Sequence, residues 1–89
     1  MFAAMNHFAT PEFWSLYHDL PEETRQLADK NFTLMQDDPR HPSLRSKKVG
    51  SYWSARVGLH YRVLAWDRGE GLVWFWIGHH REYDKIIRG

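Results

Sequence analysis

The stretch YRVLAWDRGEGLVWFWIG, residues 61–78, contains two apolar runs separated by a short polar connection. Both runs are rich in β-branched and aromatic side chains, which favour strands. The connection, Asp67 to Gly71, has the length and composition of a hairpin turn. Because both runs are apolar on both faces, we expect two antiparallel strands in the middle of a sheet, with cover on part of each side.

Two shorter strand-like runs precede this hairpin. They are SLRSKKV at 43–49 and SYWSARV at 51–57, and glycine-containing connections separate them from each other and from the hairpin. The pattern predicts an antiparallel meander of three or four strands. The sequence also allows a small extra strand at Met5–Phe8, and REYDKIIRG at the end is compatible with a short helical segment.

The first forty residues have helical patterns instead. Thr10-Pro11-Glu12 combines a hydroxyl cap with a proline at a position that needs no amide donor. A second helix opens after Pro21 with acidic residues in its first turn. We therefore expect an α+β fold in one domain, residues 1–89, with two N-terminal helices packed on one face of a small twisted antiparallel β-sheet. The other face has less chain to cover it and should be concave and partly open.

The composition excludes several classes of protein. With no cysteine, the chain has no disulfide, thiolate nucleophile or cysteine-ligated zinc. No apolar run is long enough to cross a bilayer, and the first residues do not have the pattern of a secretory signal, so we expect a cytoplasmic protein. Residues 1–39 carry two basic and seven acidic residues, whereas residues 40–89 carry ten basic and four acidic ones. This asymmetry indicates either a bipolar surface with a polyanionic or acidic partner, or two halves that interleave in space and cancel.

Two arginines occur in otherwise apolar strands. Strand alternation puts Arg56 on the side of Tyr52 and Ser54, and Arg62 on the side of Leu64 and Trp66, and we expect Arg62 on the less covered face of the sheet. Arg62 either forms an ion pair with Glu12, Asp67 or Glu82, or binds a phosphate on an open face. A basic sheet with aromatic side chains is also typical of domains that bind single-stranded nucleic acid.

Polar residues cluster after the last strand, at His79, His80, Arg81 and Tyr83. Histidine titrates near neutrality and suits proton transfer. Adjacent residues of an extended chain point to opposite sides, so we expect one of the two histidines at most to serve a given site. The chain has no His-Glu-x-x-His or comparable spacing, and we predict neither a metal site nor a cofactor.

Four segments together resemble the RelE/ParE superfamily of toxins from bacterial type II toxin–antitoxin systems. They are HPSL at 41–44, YWSARV at 52–57, YRVLAW at 61–66 and IGHHREYDKI at 77–86. The resemblance implies a RelE-like fold and a toxin that a cognate antitoxin neutralises and whose oligomeric state depends mainly on that antitoxin. YWSARV is similar to YoeB-type members and favours the branch that cleaves messenger RNA in the ribosome without a metal. Two alternatives remain, a ParE-like inhibitor of DNA gyrase and a catalytically degenerate member that still binds its antitoxin.

The resemblance also implies roles for individual residues. Arg62 matches the arginine of the YR strand, and His79, His80 and Tyr83 fall where members place an arginine or histidine and a tyrosine. Lys47 and Lys48 match basic residues before the second hairpin. A glutamate that YoeB-type members have near the Pro-Ser-Leu segment has no counterpart here.

In metal-free RNA cleavage a base takes the proton of the ribose 2′-OH, cations stabilise the phosphate, and an acid protonates the leaving oxygen. We assign phosphate binding to Arg62, with Arg56, Lys47, Lys48 and Arg81. Proton transfer falls to His80 or His79, with His80 preferred because it is nearer Tyr83. Tyr83 would stack on a base or act as the acid, or it is a core residue that anchors the terminal segment.

Overall fold

The structure is a computed structural model that describes residues 6–88. In chain order the elements are β1 (Asn6–Ala9), α1 (Pro11–His18), α2 (Glu22–Asp37), β2 (Lys47–Val49), β3 (Tyr52–Val57), β4 (Tyr61–Asp67), β5 (Gly71–His79) and α3 (His80–Arg88), with a short 3₁₀ turn at Pro42–Leu44 between α2 and β2. The α+β class and the two N-terminal helices are as predicted. Among residues 6–88 no helix has the length and hydropathy required to span a membrane.

The four strands of the predicted meander form neighbouring antiparallel pairs from β2 to β5. The strand order is β1-β5-β4-β3-β2, so the two apolar runs quoted above occupy interior positions of the sheet. Interior strands are covered on both faces, which explains why neither run alternates cleanly between apolar and polar residues. A bulge between Leu64 and Ala65 shifts the register of β4 against β5.

The extra strand β1 makes the sheet mixed, whereas the sequence predicted a purely antiparallel one. It pairs in parallel with β5, from Asn6 opposite Gly71 to Ala9 opposite Trp74. The pairing is parallel because the two helices and three strands between β1 and β5 return the chain in the same direction. A Cβ atom on Gly71 would lie 2.5 Å from the carbonyl oxygen of Asn6, so this position requires a glycine. Met5, the first residue of the expected strand, lies outside the described residues.

Helices α1 and α2 pack on one face of the sheet. The hydroxyl of Thr10 accepts a hydrogen bond from the amide of Phe13 at 3.1 Å and caps α1 as predicted. Asn31 interrupts the apolar stripe of α2, and its side-chain amide donates to the carbonyl oxygen of Arg56 at 3.0 Å. This bond fixes α2 over β3.

The hydrophobic core lies between these helices and the sheet. Leu20 and Met35 contribute from the helical half, and the sheet contributes the strand residues that face the helices. These are Ala55, Val57, Val63, Ala65, Leu72, Trp74 and Ile77. Burying one leucine or isoleucine side chain contributes about 1.5–3 kcal/mol, so this layer holds the strands in register.

Helix α3 covers part of the opposite face. Its Tyr83 is buried beside Ser54, which is itself buried in the middle of β3. Leu64 is fully buried on the same face. The rest of this face stays open, as expected, and forms the larger of the two cavities described below.

Candidate functional site

A cavity of about 700 Å³ opens between β2, β3, β4 and α3. Its polar wall is strongly basic, with a single carboxylate among the lining residues. Besides Tyr83, the ionisable groups are Arg45, Lys47, Arg56, Arg62, His80 and Asp84. All of them come from the basic half of the sequence, whereas the acidic residues of α1 and α2 lie on helices at the other face. The charge asymmetry therefore corresponds to two different faces of the fold.

Arg56 and Arg62 are direct cross-strand partners in the antiparallel pair of β3 and β4. Like charges opposite each other in a sheet are destabilising, so this pair is costly unless it binds an anion. Both side chains are half-buried, and the Nε atom of Arg56 is buried without a hydrogen-bond partner. The two guanidinium groups provide a concentrated donor set for a phosphate.

The surroundings of Arg62 differ from the ion pairs suggested by the sequence. Its Nη1 donates to the carbonyl oxygens of Tyr61 at 2.8 Å and Leu59 at 3.4 Å. Among residues 6–88 it forms no ion pair, and the structure pairs Asp67 and Glu82 with lysines instead. Partial burial and then the nearby Arg56 lower the pKa of Arg62, while Tyr83 and Asp84 oppose that change. An arginine remains charged under these conditions, so Arg62 carries charge that no described carboxylate neutralises by direct contact.

The two adjacent lysines have different environments. Lys47 lines the basic cavity. Lys48 instead lies 3.3 Å from the carboxylate of Asp67 on the neighbouring hairpin. The amide of Gly69 and then Lys48 hold the pKa of Asp67 below its usual range. The structure therefore brings Lys47, and not Lys48, to the arginines.

His79 and His80 do not point to opposite sides, and this expectation was wrong. His79 ends β5 and His80 begins α3, so the chain leaves the extended conformation between them. Their ring centroids are 4.5 Å apart, and the ring of His60 joins them from the turn between β3 and β4. Only His80 of this group lines the basic cavity. Desolvation, and then the charges of His80 and Arg81, lower the pKa of His79.

Tyr83 lines the cavity but is only 6% exposed. Its hydroxyl accepts a hydrogen bond from the hydroxyl of Ser54 at 3.0 Å. A ring buried this deeply has no free face for stacking on a base, so any chemical role would belong to its hydroxyl. Arg81 is exposed and lies outside the cavity wall, and its backbone amide donates to Nδ1 of His79 at 3.2 Å.

Sequence reasoning missed three residues near this site. Arg45 follows the 3₁₀ turn, adopts the left-handed backbone conformation with φ of 46° and lines the cavity. The sequence does not indicate this backbone conformation. Asp84 lies one helical turn after His80 on α3, a relationship that becomes visible once the helix is known to begin at His80. His60 reaches the other two histidines across the sheet, and no linear spacing indicates that contact.

Aromatic side chains lie on the sheet face that carries the arginines. The rings of Trp66 and Phe75 stack with centroids 4.4 Å apart, and Tyr52 approaches Phe75 at 5.5 Å. The guanidinium of Arg68 lies 5.1 Å from the centre of the Trp66 ring. By strand alternation Tyr52 and Trp66 share the face of Arg56 and Arg62.

The other face has an apolar cavity of about 240 Å³ between β1, α1, α2 and the sheet. Phe8, Trp14 and Phe32 line it and are 58%, 48% and 41% exposed. Large apolar side chains exposed together in this way are typical of a surface that binds another protein.

Comparison with known protein families gives a match over most of the chain. A family model for the ParE-like toxin domain matches residues 23–85, more than two thirds of the chain. The matched region begins in α2 and includes β2 to β5 and most of α3, so it contains every residue of the basic cavity. None of the curated proteins matches the sequence.

Solved structures with a similar fold come from several microorganisms. RelE in a RelB–RelE antitoxin–toxin complex from Methanococcus jannaschii superposes with a TM-score of 0.70 and 17% identity, covering 89% of this chain and 96% of the other. YafQ from Escherichia coli gives 0.71 and 10% identity, covering 89% and 97%. A YoeB/ParE toxin from Agrobacterium tumefaciens gives 0.66 and 15% identity, covering 85% and 99%. At these identities the likeness concerns the fold.

Proposed function

Because the chain belongs to the family of ParE-like toxin domains, we propose that it is the toxin of a toxin–antitoxin pair and that it cleaves messenger RNA on the ribosome. The observation that carries the second part is the Arg56–Arg62 pair. The two arginines are cross-strand partners in the wall of a basic cavity, and neither has a carboxylate partner among residues 6–88. A phosphodiester would supply the missing negative charge.

The proposed reaction begins when the ribose 2′-oxygen attacks the adjacent phosphorus. A bond forms between the 2′-oxygen and phosphorus, and the bond from phosphorus to the 5′-oxygen breaks. The products are a 2′,3′-cyclic phosphate and a 5′-hydroxyl. One proton leaves the 2′-oxygen and one reaches the 5′-oxygen, so the reaction requires a base, an acid and positive charge at the phosphate.

The cavity contains residues for each role. Arg56, Arg62 and Lys47 would stabilise the charge that develops on the phosphoryl oxygens. His80 would transfer a proton, and Asp84, one turn further along α3, offers a second titratable group in the same wall. The exposed Arg81 and the paired Lys48 would contribute only to the long-range attraction of RNA.

The aromatic cluster beside the cavity supports an RNA ligand. Single-stranded RNA exposes base faces that stack on aromatic side chains, and each such contact is worth about 1–3 kcal/mol. Tyr52, Trp66 and Phe75 lie on the same sheet face as the arginines, with Arg68 against Trp66. We assign them to neighbouring nucleotides, away from the reacting phosphate.

The antitoxin would bind the apolar face. The structures of related toxins include complexes with RelB and with DinJ. Here the exposed Phe8, Trp14 and Phe32 surround a cavity on the face opposite the basic one. An amphipathic segment of the antitoxin placing its apolar side chains in this cavity would cover these rings.

The test is induction of the toxin in bacterial cells, followed by mapping of new messenger 5′ ends. Ends that cluster within translated codons, and that disappear with Arg62→Ala, would support RNA cleavage. Intact messages together with a DNA-damage response would contradict it and favour gyrase inhibition. If cells that express the parent chain grow normally, both kinds of toxin are contradicted.

A further inference from the structure

Three of the six histidines form a compact cluster at one side of the basic cavity. His60 belongs to the turn between β3 and β4, His79 ends β5, and His80 begins α3. One ring nitrogen of each lies within 4.8 Å of those of the other two. The backbone amide of His80 donates to the carbonyl oxygen of His60 at 2.8 Å, so the positions of the two residues are fixed relative to each other by the backbone.

We propose that His60, His79 and His80 bind a late first-row divalent cation, for which Zn²⁺ is the reference. Imidazole nitrogens are the preferred neutral ligands of zinc, copper and nickel, and three histidines with a water molecule form a common tetrahedral zinc site. No carboxylate belongs to this cluster within residues 6–88, so the hard cations Mg²⁺ and Ca²⁺ lack the oxygen ligands they require.

Binding requires only side-chain movement. With Zn–N bonds of about 2.0–2.1 Å, the ligand nitrogens of a tetrahedral site lie about 3.4 Å apart, closer than the present 4.8 Å limit. His60 is exposed, so its ring has room to turn toward the other two. His79 accepts a hydrogen bond from the amide of Arg81 at 3.2 Å through Nδ1, and coordination through that nitrogen would replace this long bond.

The electrostatic surroundings set the expected affinity. Arg81 and the N-terminus of α3 oppose a cation at this position, whereas Glu82 attracts one. The coordinate bonds must therefore provide the affinity, and we expect micromolar binding, weaker than that of a buried structural zinc site.

The cluster overlaps the basic cavity at a single residue, His80. A histidine that binds a metal through one ring nitrogen keeps its proton on the other, so the ring can no longer take up a proton as a base. Zinc would therefore inhibit RNA cleavage by occupying His80, and this consequence, unlike the binding itself, depends on the function proposed above.

Calorimetric titration of the full chain, without a histidine tag, with ZnCl₂ tests the site directly. We expect one equivalent of zinc per chain and a visible absorption band of tetrahedral geometry when Co²⁺ replaces zinc. His60→Ala should weaken zinc binding by roughly tenfold or more, since even the loss of a group that supports a ligand costs about that much. His18→Ala, which removes an exposed histidine of α1, is the matched control and should bind as the parent does.

The proposal is overturned if zinc gives no saturable binding, if His60→Ala binds as tightly as the parent, or if His18→Ala weakens binding equally. Circular dichroism of each variant establishes that it is folded. Because the titration contains no RNA, an absence of cleavage activity would leave a positive binding result intact, and a failed titration would leave the cleavage proposal standing.

Discussion

The hydroxyl of Ser54 donates a hydrogen bond to the hydroxyl of Tyr83, and both groups are buried where α3 crosses the sheet. This bond is a polar contact at the floor of the basic cavity, and it joins the last helix to the centre of β3. It gives Tyr83 a structural role that is separate from any role of its hydroxyl in chemistry.

Tyr83→Phe should lower the free energy of unfolding by about 1–2 kcal/mol, because it leaves the Ser54 hydroxyl buried without its partner. The double variant with Ser54→Ala should recover part of this loss, since no unpaired hydroxyl then remains. Urea unfolding of the parent, both single variants and the double variant gives the coupling energy. Additive effects would show that the bond does not contribute. If Tyr83 is also the acid, Tyr83→Phe will slow cleavage even at temperatures where it is fully folded.

Arg62→Ala should abolish toxicity and slow cleavage by about 10²–10³-fold, because one of two facing phosphate donors is lost. The variant should remain folded, since the substitution also relieves the repulsion from Arg56. Arg88→Ala, at the exposed end of α3, is the matched control and should have a much smaller effect. A melting temperature that falls sharply in Arg62→Ala would indicate a structural role instead.

Lys47→Ala and Lys48→Ala should differ although the residues are adjacent. Lys47 lines the cavity, whereas Lys48 is paired with Asp67. We expect Lys47→Ala to raise KM several-fold and to reduce its dependence on salt, because a cation that contacts the phosphate backbone is lost. The KM of Lys48→Ala should stay near that of the parent. Equal KM values for the two variants would mean that both lysines act only through long-range charge.

His80→Ala should slow cleavage by about two to four orders of magnitude if this residue transfers a proton. His80→Gln should not restore the rate, since glutamine forms hydrogen bonds but does not carry the proton. His79→Ala should have the smaller effect because His79 does not line the cavity. Rates on programmed ribosomes, with zinc excluded by a chelator, distinguish the variants. Equal and near-parental rates would move proton transfer to Asp84 or Tyr83.

The stability of the fold should depend on pH through His7. Burial lowers the pKa of His7, and its Nδ1 accepts a hydrogen bond from the indole of Trp74 at 3.1 Å, which the protonated ring would lose. As the pH falls, the unfolded chain therefore takes up this proton before the folded chain does. The contribution of His7 to stability is complete above the ordinary pKa of histidine and is lost as the pH falls toward the lowered pKa of the folded state. His7→Asn keeps an acceptor for Trp74 and does not titrate. Between about pH 7.5 and 5.5 its melting temperature should decline less than that of the parent. If the melting temperature of His7→Asn declines with pH as steeply as that of the parent, the effect belongs to other groups.

The sequence predicted the elements that depend on local patterns. The Thr10 cap, the interior positions of the two apolar strands and the alternation of side chains along each strand are all local properties. It failed where the answer depends on contacts between distant segments. The parallel pairing of β1 with β5 was not predicted, because strand direction follows from the path of the whole chain. The position of His80 depends on where α3 begins. An extended chain was expected there, which would place the rings of His79 and His80 on opposite sides, whereas the structure places them next to each other. His60 joined the cluster only through the register of β4 against β5, which places Tyr61 opposite His79.

Among residues 6–88, β1 is an edge strand that pairs with β5, and Asn6 lies opposite Gly71, 65 residues further along the chain. The β3–β4–β5 meander forms through short connections, whereas closing β1 onto β5 must overcome the loop entropy of everything between them. The docking of β1 should therefore be a late step in folding. Under native conditions it should also be the first part of the sheet to open, so the amide of Thr10, bonded to Trp74, should exchange with deuterium faster than the amides of β4. Each such opening would expose the hydrogen-bonding edge of β5 to another extended chain.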